Sequence, residues 1–145
     1  MRIGFETGSI RPVATGETDM KVQRSGDCGN SPKNVFAEEV TIAIAKRDTR
    51  FLRAKLTDDV RWNVVGARIV DGKQAFCDAL AMQSDAVTKL VINHVVSHGR
   101  AAAVNGVAED AEGGSIDFCN VYEFGNAKGN SLKSITAYAV RATVK

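Results

Sequence analysis

Phe36, Val40, Ala43 and Ile44 recur at the three-to-four-residue spacing of one helical face. Asn30 or Ser31 can cap that helix, and Pro32 suits its first turn. Glu38 and Glu39 fall in its N-terminal half and Lys46 and Arg47 at its end, as the helix dipole favours. Asp48 can cap a short second helix that turns Phe51, Leu52 and Leu56 inward. Asp71-Gly72 announces a third, KQAFCDALAMQ, with Phe76 and Leu80 on one face. The remaining apolar positions read as strands. VRWNVVG precedes the third helix, and AVTKLVINHVVSHG, RAAAVNGVAED, GSIDFCNVYEFG and SLKSITAYAVRATV follow it in series. The turn-forming segments HGR, EDAEGG and GNAKGN part them. Helices first and then a meander of antiparallel strands is an α+β layout, in which a curved sheet wraps around the helices. Residues 1–30 are rich in Gly, Thr and Ser with little periodicity and read as a flexible arm, leaving 31–145 as a single domain.

Register sharpens this picture. A two-residue turn at Gly99-Arg100 pairs His98 with Ala101 and therefore His94 with Asn105. A four-residue loop over residues 111–114 pairs Val107 with Phe118 and Asn105 with Asn120. His94, Asn105 and Asn120 then converge on one otherwise apolar face, beside space left by Ala101, Ala103 and Gly106. Such a cluster is either the polar end of a small-molecule pocket or a set of groups bonding one another within a core. A loop one residue longer or shorter reverses the parity and breaks it. Cys119, Tyr138, Asp117 and Glu123 alternate to the outer face, and Asp58 and Asp59 read as turn and strand-entry residues.

Composition narrows the function classes. The 145 residues are 44% hydrophobic, enough for one domain with a real core. A net charge of +2, from 19 basic and 17 acidic residues, supplies no field to gather nucleic acid or an anionic membrane. No apolar run is long enough to span a bilayer, and the first residues lack the apolar core of a secretory signal. Cys28, Cys77 and Cys119 are odd in number and show no Cys-x-x-Cys spacing, which suits free thiols in the cytoplasm. With two histidines, they form no metal-ligand pattern. No glycine-rich strand-to-helix turn supports nucleotide binding.

The ordered motifs LTDDVRWNVVG, DGKQAF, HGRAAAVNG, FCNVYEFG and LKSITAYAV resemble the nuclear transport factor 2-like superfamily, particularly its SnoaL-like members, over about residues 31–144. The resemblance implies a cone-shaped α+β barrel in which helices and a curved, mainly antiparallel sheet enclose an apolar cavity. It also implies a homodimer through the outer sheet face. Among such relatives, ketosteroid isomerase carries a protonated aspartic acid where Asn120 stands here, a tyrosine near Val40 and a carboxylate near Val64. Two of those three roles are missing. Limonene epoxide hydrolase carries an acid in the segment matching residues 136–139, where Ala137 stands here. Scytalone dehydratase works with histidine, tyrosine and asparagine, a palette that His94, Tyr122, Asn105 and Asn120 resemble. The resemblance therefore implies a cofactor-free enzyme of dehydratase, isomerase or cyclase type acting on an apolar small molecule. His94 serves as acid or base, and Asn120 and Asn105 orient an oxygen. Trp62, Val64, Phe76, Leu80, Phe118 and Tyr122 line the substrate, and no metal or cofactor takes part. The alternative is a non-catalytic binding protein for a small hydrophobic ligand.

Overall fold

In the computed structural model, residues 20–83 and 86–142 are described. Ser31 starts helix α1 (Pro32–Lys46): its Oγ accepts from the Asn34 N–H at 3.2 Å, and Pro32 occupies the first turn. The helix buries Phe36, Ala37, Val40, Thr41 and Ala43. It ends at Arg47, whose backbone is left-handed, with φ 59° and ψ 41°. Asp48 accepts from the Phe51 N–H at 3.1 Å and opens α2 (Thr49–Arg53). Gly72, at φ 100°, leads into α3 (Lys73–Ala81), which buries Phe76, Cys77 and Leu80.

The strands are β1 (Lys21–Gln23), β2 (Leu56–Val64), β3 (Arg68–Asp71), β4 (Val87–His98), β5 (Ala101–Asp110), β6 (Ser115–Phe124) and β7 (Leu132–Arg141). They form one curved sheet in the order β1-β4-β5-β6-β7-β2-β3. Four pairings are antiparallel; β1 with β4 and β2 with β7 are parallel. The concave face packs on the helices through Leu90, Ile92, Val95, Val104, Tyr122, Phe124, Leu132 and Ile135, all buried. The expected α+β cone is present, but the sheet is open between the β1 and β3 edges. Two strands lie outside the expectation. Residues 21–23, assigned to the arm by composition, pair with Lys89, Leu90 and Val91. Residues 68–71 turn back on β2, where Arg61 and Asp71 form an ion pair at 2.7 Å. Both segments are too short for alternation to mark them. The rest of the expected arm, residues 1–19, lies outside the described residues.

Two single-residue shifts correct the expected register. The β4–β5 turn is as expected, with His98 opposite Ala101 and His94 opposite Asn105. Between Ile92 and His94, however, the register slips: Ile92 pairs with Gly106 and His94 with Asn105, leaving Asn93 as a bulge. Ile92 and Val95 therefore point inward, and His94 is exposed on the convex face. The second shift is in the β5–β6 turn. The Asp110 carboxylate accepts from the Glu112 N–H at 3.0 Å and the Gly114 N–H at 2.8 Å. That side-chain turn takes Asp110 out of the β5–β6 pairing, so Glu109 pairs with Ser115 across five residues rather than four. Asn105 consequently faces Cys119, and Asn120 faces Val104.

Candidate functional site

Asn120 is the one member of the expected polar cluster on the concave face, and it is buried. His94 and Asn105 bond each other on the opposite face, His94 Nδ1 to Asn105 Oδ1 at 3.1 Å, in an exposed setting. The expectation that the three converge is thus corrected: the bulge at Asn93 and the Asp110 turn each reverse the parity on which it rested.

Asn120 meets two other groups. Its Nδ2 lies 3.2 Å from the Tyr122 hydroxyl, which lies 2.6 Å from Thr41 Oγ1. Thr41 Oγ1 also lies 2.9 Å from the Ala37 carbonyl, which can only accept. The single Thr41 hydroxyl proton is committed to Ala37, so Tyr122 donates to Thr41 and accepts from Asn120. The chain of donors runs from the sheet into α1 and fixes which way the Asn120 amide faces. Burial pushes the Tyr122 hydroxyl up to about 12, against smaller downward effects from Thr41 and Asn120. Tyr122 is therefore a neutral donor at any physiological pH. Replacing it in Tyr122→Phe leaves the Asn120 N–H and the Thr41 oxygen short of a partner. The expected loss is about 1–2 kcal/mol, read from the denaturant midpoint.

Above Asn120 opens a cavity of about 200 Å³, walled by Thr41, Ile44, Ala45 and Arg47 from the end of α1, by Gln83, by Val87 and Leu90, and by Ala108, Phe118 and Ala139. It is hollow because the neighbours of Phe118 in the sheet are small, Gly106 on one side and Ala139 on the other. Gln83, Val87 and Ala108 also border a neighbouring outer hollow of about 430 Å³, lined further by Met82, Glu109, Asp110, Ile116 and Arg141. Asn120 Oδ1 accepts no hydrogen bond from the described residues and is not sealed from the cavity.

Of the other expected lining residues, Phe118 borders this cavity. Tyr122 lies behind its floor, fully buried. Trp62 and Phe76 pack edge to face, ring centroids 4.7 Å apart, in the solid core between β2 and α3. Leu80 is buried in that core, and Val64 packs against its edge. Sequence reasoning missed Thr41 and Arg47. Thr41 had a signal, since it lies four residues after Ala37 and three before Ile44 on the inward stripe. Arg47 had none, because a cation at a helix end needs no further reason. Among the described residues, no Asp, Glu, His, Cys or Lys walls the cavity. Nor does any cluster of three or more metal-binding side chains occur among them.

No family model and no curated protein matches the sequence. Solved structures do match in shape. A putative ketosteroid isomerase from Kribbella flavida aligns with TM-score 0.67 and 14% identity, over 78% of this chain and 81% of that one. An epoxide hydrolase from M. tuberculosis, similar to limonene epoxide hydrolase, aligns with TM-score 0.62 and 18% identity, over 74% and 82%. A nuclear transport factor 2-like protein of unknown function from Cytophaga hutchinsonii aligns with TM-score 0.56 and 23% identity, over 74% and 99%. The chain has the nuclear transport factor 2-like fold. At these identities the likeness concerns the fold, and the site must be argued from its own residues.

Proposed function

We propose that this chain binds a small, largely apolar molecule that presents a hydrogen-bonding oxygen to Asn120. The observation that carries this reading is the pairing of an oriented, buried amide with an apolar hollow. The size of the inner hollow limits the part of the ligand that lies against Asn120. A cavity of 150 Å³ accommodates benzene, so about 200 Å³ suits a single ring with one or two small substituents. Binding is favoured over acid–base catalysis because the described wall offers neutral donors and one guanidinium but no general base. Fold neighbours named as isomerase and epoxide hydrolase keep catalysis as the alternative. Cyclohexanone, a ring with one carbonyl, is a suitable probe. It is expected to raise the unfolding temperature of the wild type and of His94→Ala alike, and to leave Asn120→Leu unchanged. An equal rise in Asn120→Leu would remove the amide from the reading.

The proposal includes a second copy of the chain on the convex face, where Val96, Val121, Tyr138 and Val140 are exposed. Light scattering on the purified chain is expected to return twice the 15.5 kDa chain mass. The free thiols of Cys28, Cys77 and Cys119 suit a cytoplasmic setting. Among the described residues no helix is long and apolar enough to cross a membrane.

A further inference from the structure

The hydrogen-bond chain behind Asn120 has a direction, set at its far end by a carbonyl. The Ala37 carbonyl can only accept, which spends the Thr41 proton at 2.9 Å. Thr41 Oγ1 then takes the Tyr122 proton at 2.6 Å, and the Tyr122 oxygen needs a donor in turn. Asn120 supplies it through Nδ2 at 3.2 Å. Turning the amide over would set Oδ1 against a hydroxyl whose only proton is already given away, two acceptors face to face. Oδ1 is therefore the amide atom held away from Tyr122. Asn120 is only 9% exposed and borders the cavity, yet no donor among the described residues bonds its Oδ1. A buried acceptor in that state is costly until something donates to it.

Resting on the cavity reading above, we infer that the ligand is a ring alcohol or phenol whose hydroxyl donates its proton to Asn120 Oδ1, with Tyr122 and Thr41 as positioning residues that hold the amide that way round. Nδ2 keeps a second proton beside the one given to Tyr122. A hydroxyl both donates and accepts, so it matches what the amide has left. A ketone or an ether matches only the N–H and leaves Oδ1 without a donor. An aliphatic amine would donate, but it carries a charge near neutral pH, and the Ile44, Leu90 and Phe118 walls give that charge no partner.

Cyclohexanol and cyclohexanone test this, since they share a ring and differ by one donor. In titrations of the full chain followed by the Asn120 side-chain amide resonances, both are expected to bind the wild type. The alcohol is expected to bind about tenfold tighter, the scale of one buried acceptor left unpaired. Thr41→Val keeps the shape of the wall and removes the acceptor of the Tyr122 proton. Tyr122 can then donate to Asn120, the amide can turn over, and the preference for the alcohol should fall to about one or invert. Tyr122→Phe releases the amide without touching the cavity wall, and it too should level the two affinities while both probes still bind. Unfolding temperatures show that each variant is folded. Equal affinities in the wild type, or a preference that survives both substitutions, overturn the donor reading and leave the cavity reading intact. If neither probe moves the Asn120 resonances, both readings fail.

Discussion

A Gly106→Ala variant is expected to unfold roughly 10 °C below the wild type, from a loss of about 2–3 kcal/mol. The cause is a contact with backbone, not side chain. A Cβ at Gly106 would stand 2.0 Å from the Val91 carbonyl oxygen, 3.0 Å from its carbon and 3.1 Å from Ile92 Cα. Gly106 pairs with Ile92 at the last position before the Asn93 bulge, where β4 folds down onto β5. Side-chain rotation cannot relieve the overlap, so the ladder around residues 91–94 has to open. That ladder carries the shift that turns Val95 into the core and His94 out of it. Gly125 provides the contrast: an added Cβ there meets the ends of Thr57 and Ser131, which can rotate aside. Its alanine variant is expected to lose less than half as much. Thermal and denaturant unfolding measure both, and amide exchange at Val95 should quicken in Gly106→Ala. A change under 0.5 kcal/mol at Gly106 would mean that β4 can move away freely.

The same bulge explains how much of the site is legible in the sequence. Helices α1, α2 and α3 and strands β4–β7 announce themselves, because caps, turns and periodicity agree along each. The faces of those strands are harder, since one inserted residue exchanges every inward and outward position. Alternation from Leu90 and Ile92 sends His94 inward, yet the bulge answers to the absent Cβ of Gly106, a packing fact with no periodic signature. The Asp110 turn was in principle readable, because an aspartate followed by Ala-Glu-Gly-Gly can bond the backbone two and four residues on. A loop counted from Ala111 is one residue short of the observed β5–β6 connection. Asn120 shares the face of Phe118 and Tyr122, as simple alternation predicts, because the three lie in a single uninterrupted stretch of strand. Its true partners, Tyr122 and Thr41, bring together α1 and β6, which no local pattern can align.

Within the N-terminal part, Glu38 looks like an ordinary dipole partner of α1, but its expected effect is among the largest in the chain. Its carboxylate is buried at 3% exposure. It accepts from Arg24 Nε at 2.8 Å, from the Ser25 N–H at 3.1 Å and from Ser25 Oγ at 2.9 Å, with the Cys28 thiol at 3.5 Å. These bonds tie residues 24–28 to α1 just after β1 joins the sheet edge. Glu38→Ala is expected to lose about 1.5–3 kcal/mol, the range for hydrogen bonds to a charged acceptor. The fuller penalty of a severed buried pair does not apply, because Arg24 is half exposed and regains water. Released residues 21–24 should then be cut by trypsin after Lys21 and Arg24 far faster than in the wild type.

The pH dependence has a definite sign. Burial alone would raise the Glu38 carboxyl, but the Ser25 bonds and Arg24 outweigh it and hold it below the usual 4.5. The folded chain therefore releases this proton more readily than the unfolded chain. The stabilisation is complete above the unfolded value and is lost as pH falls through the folded one. The stability difference between wild type and Glu38→Gln should be flat from pH 6 upward and should shrink below about pH 4.5. A difference that grew on acidification would reverse the sign and show the carboxyl to be held protonated.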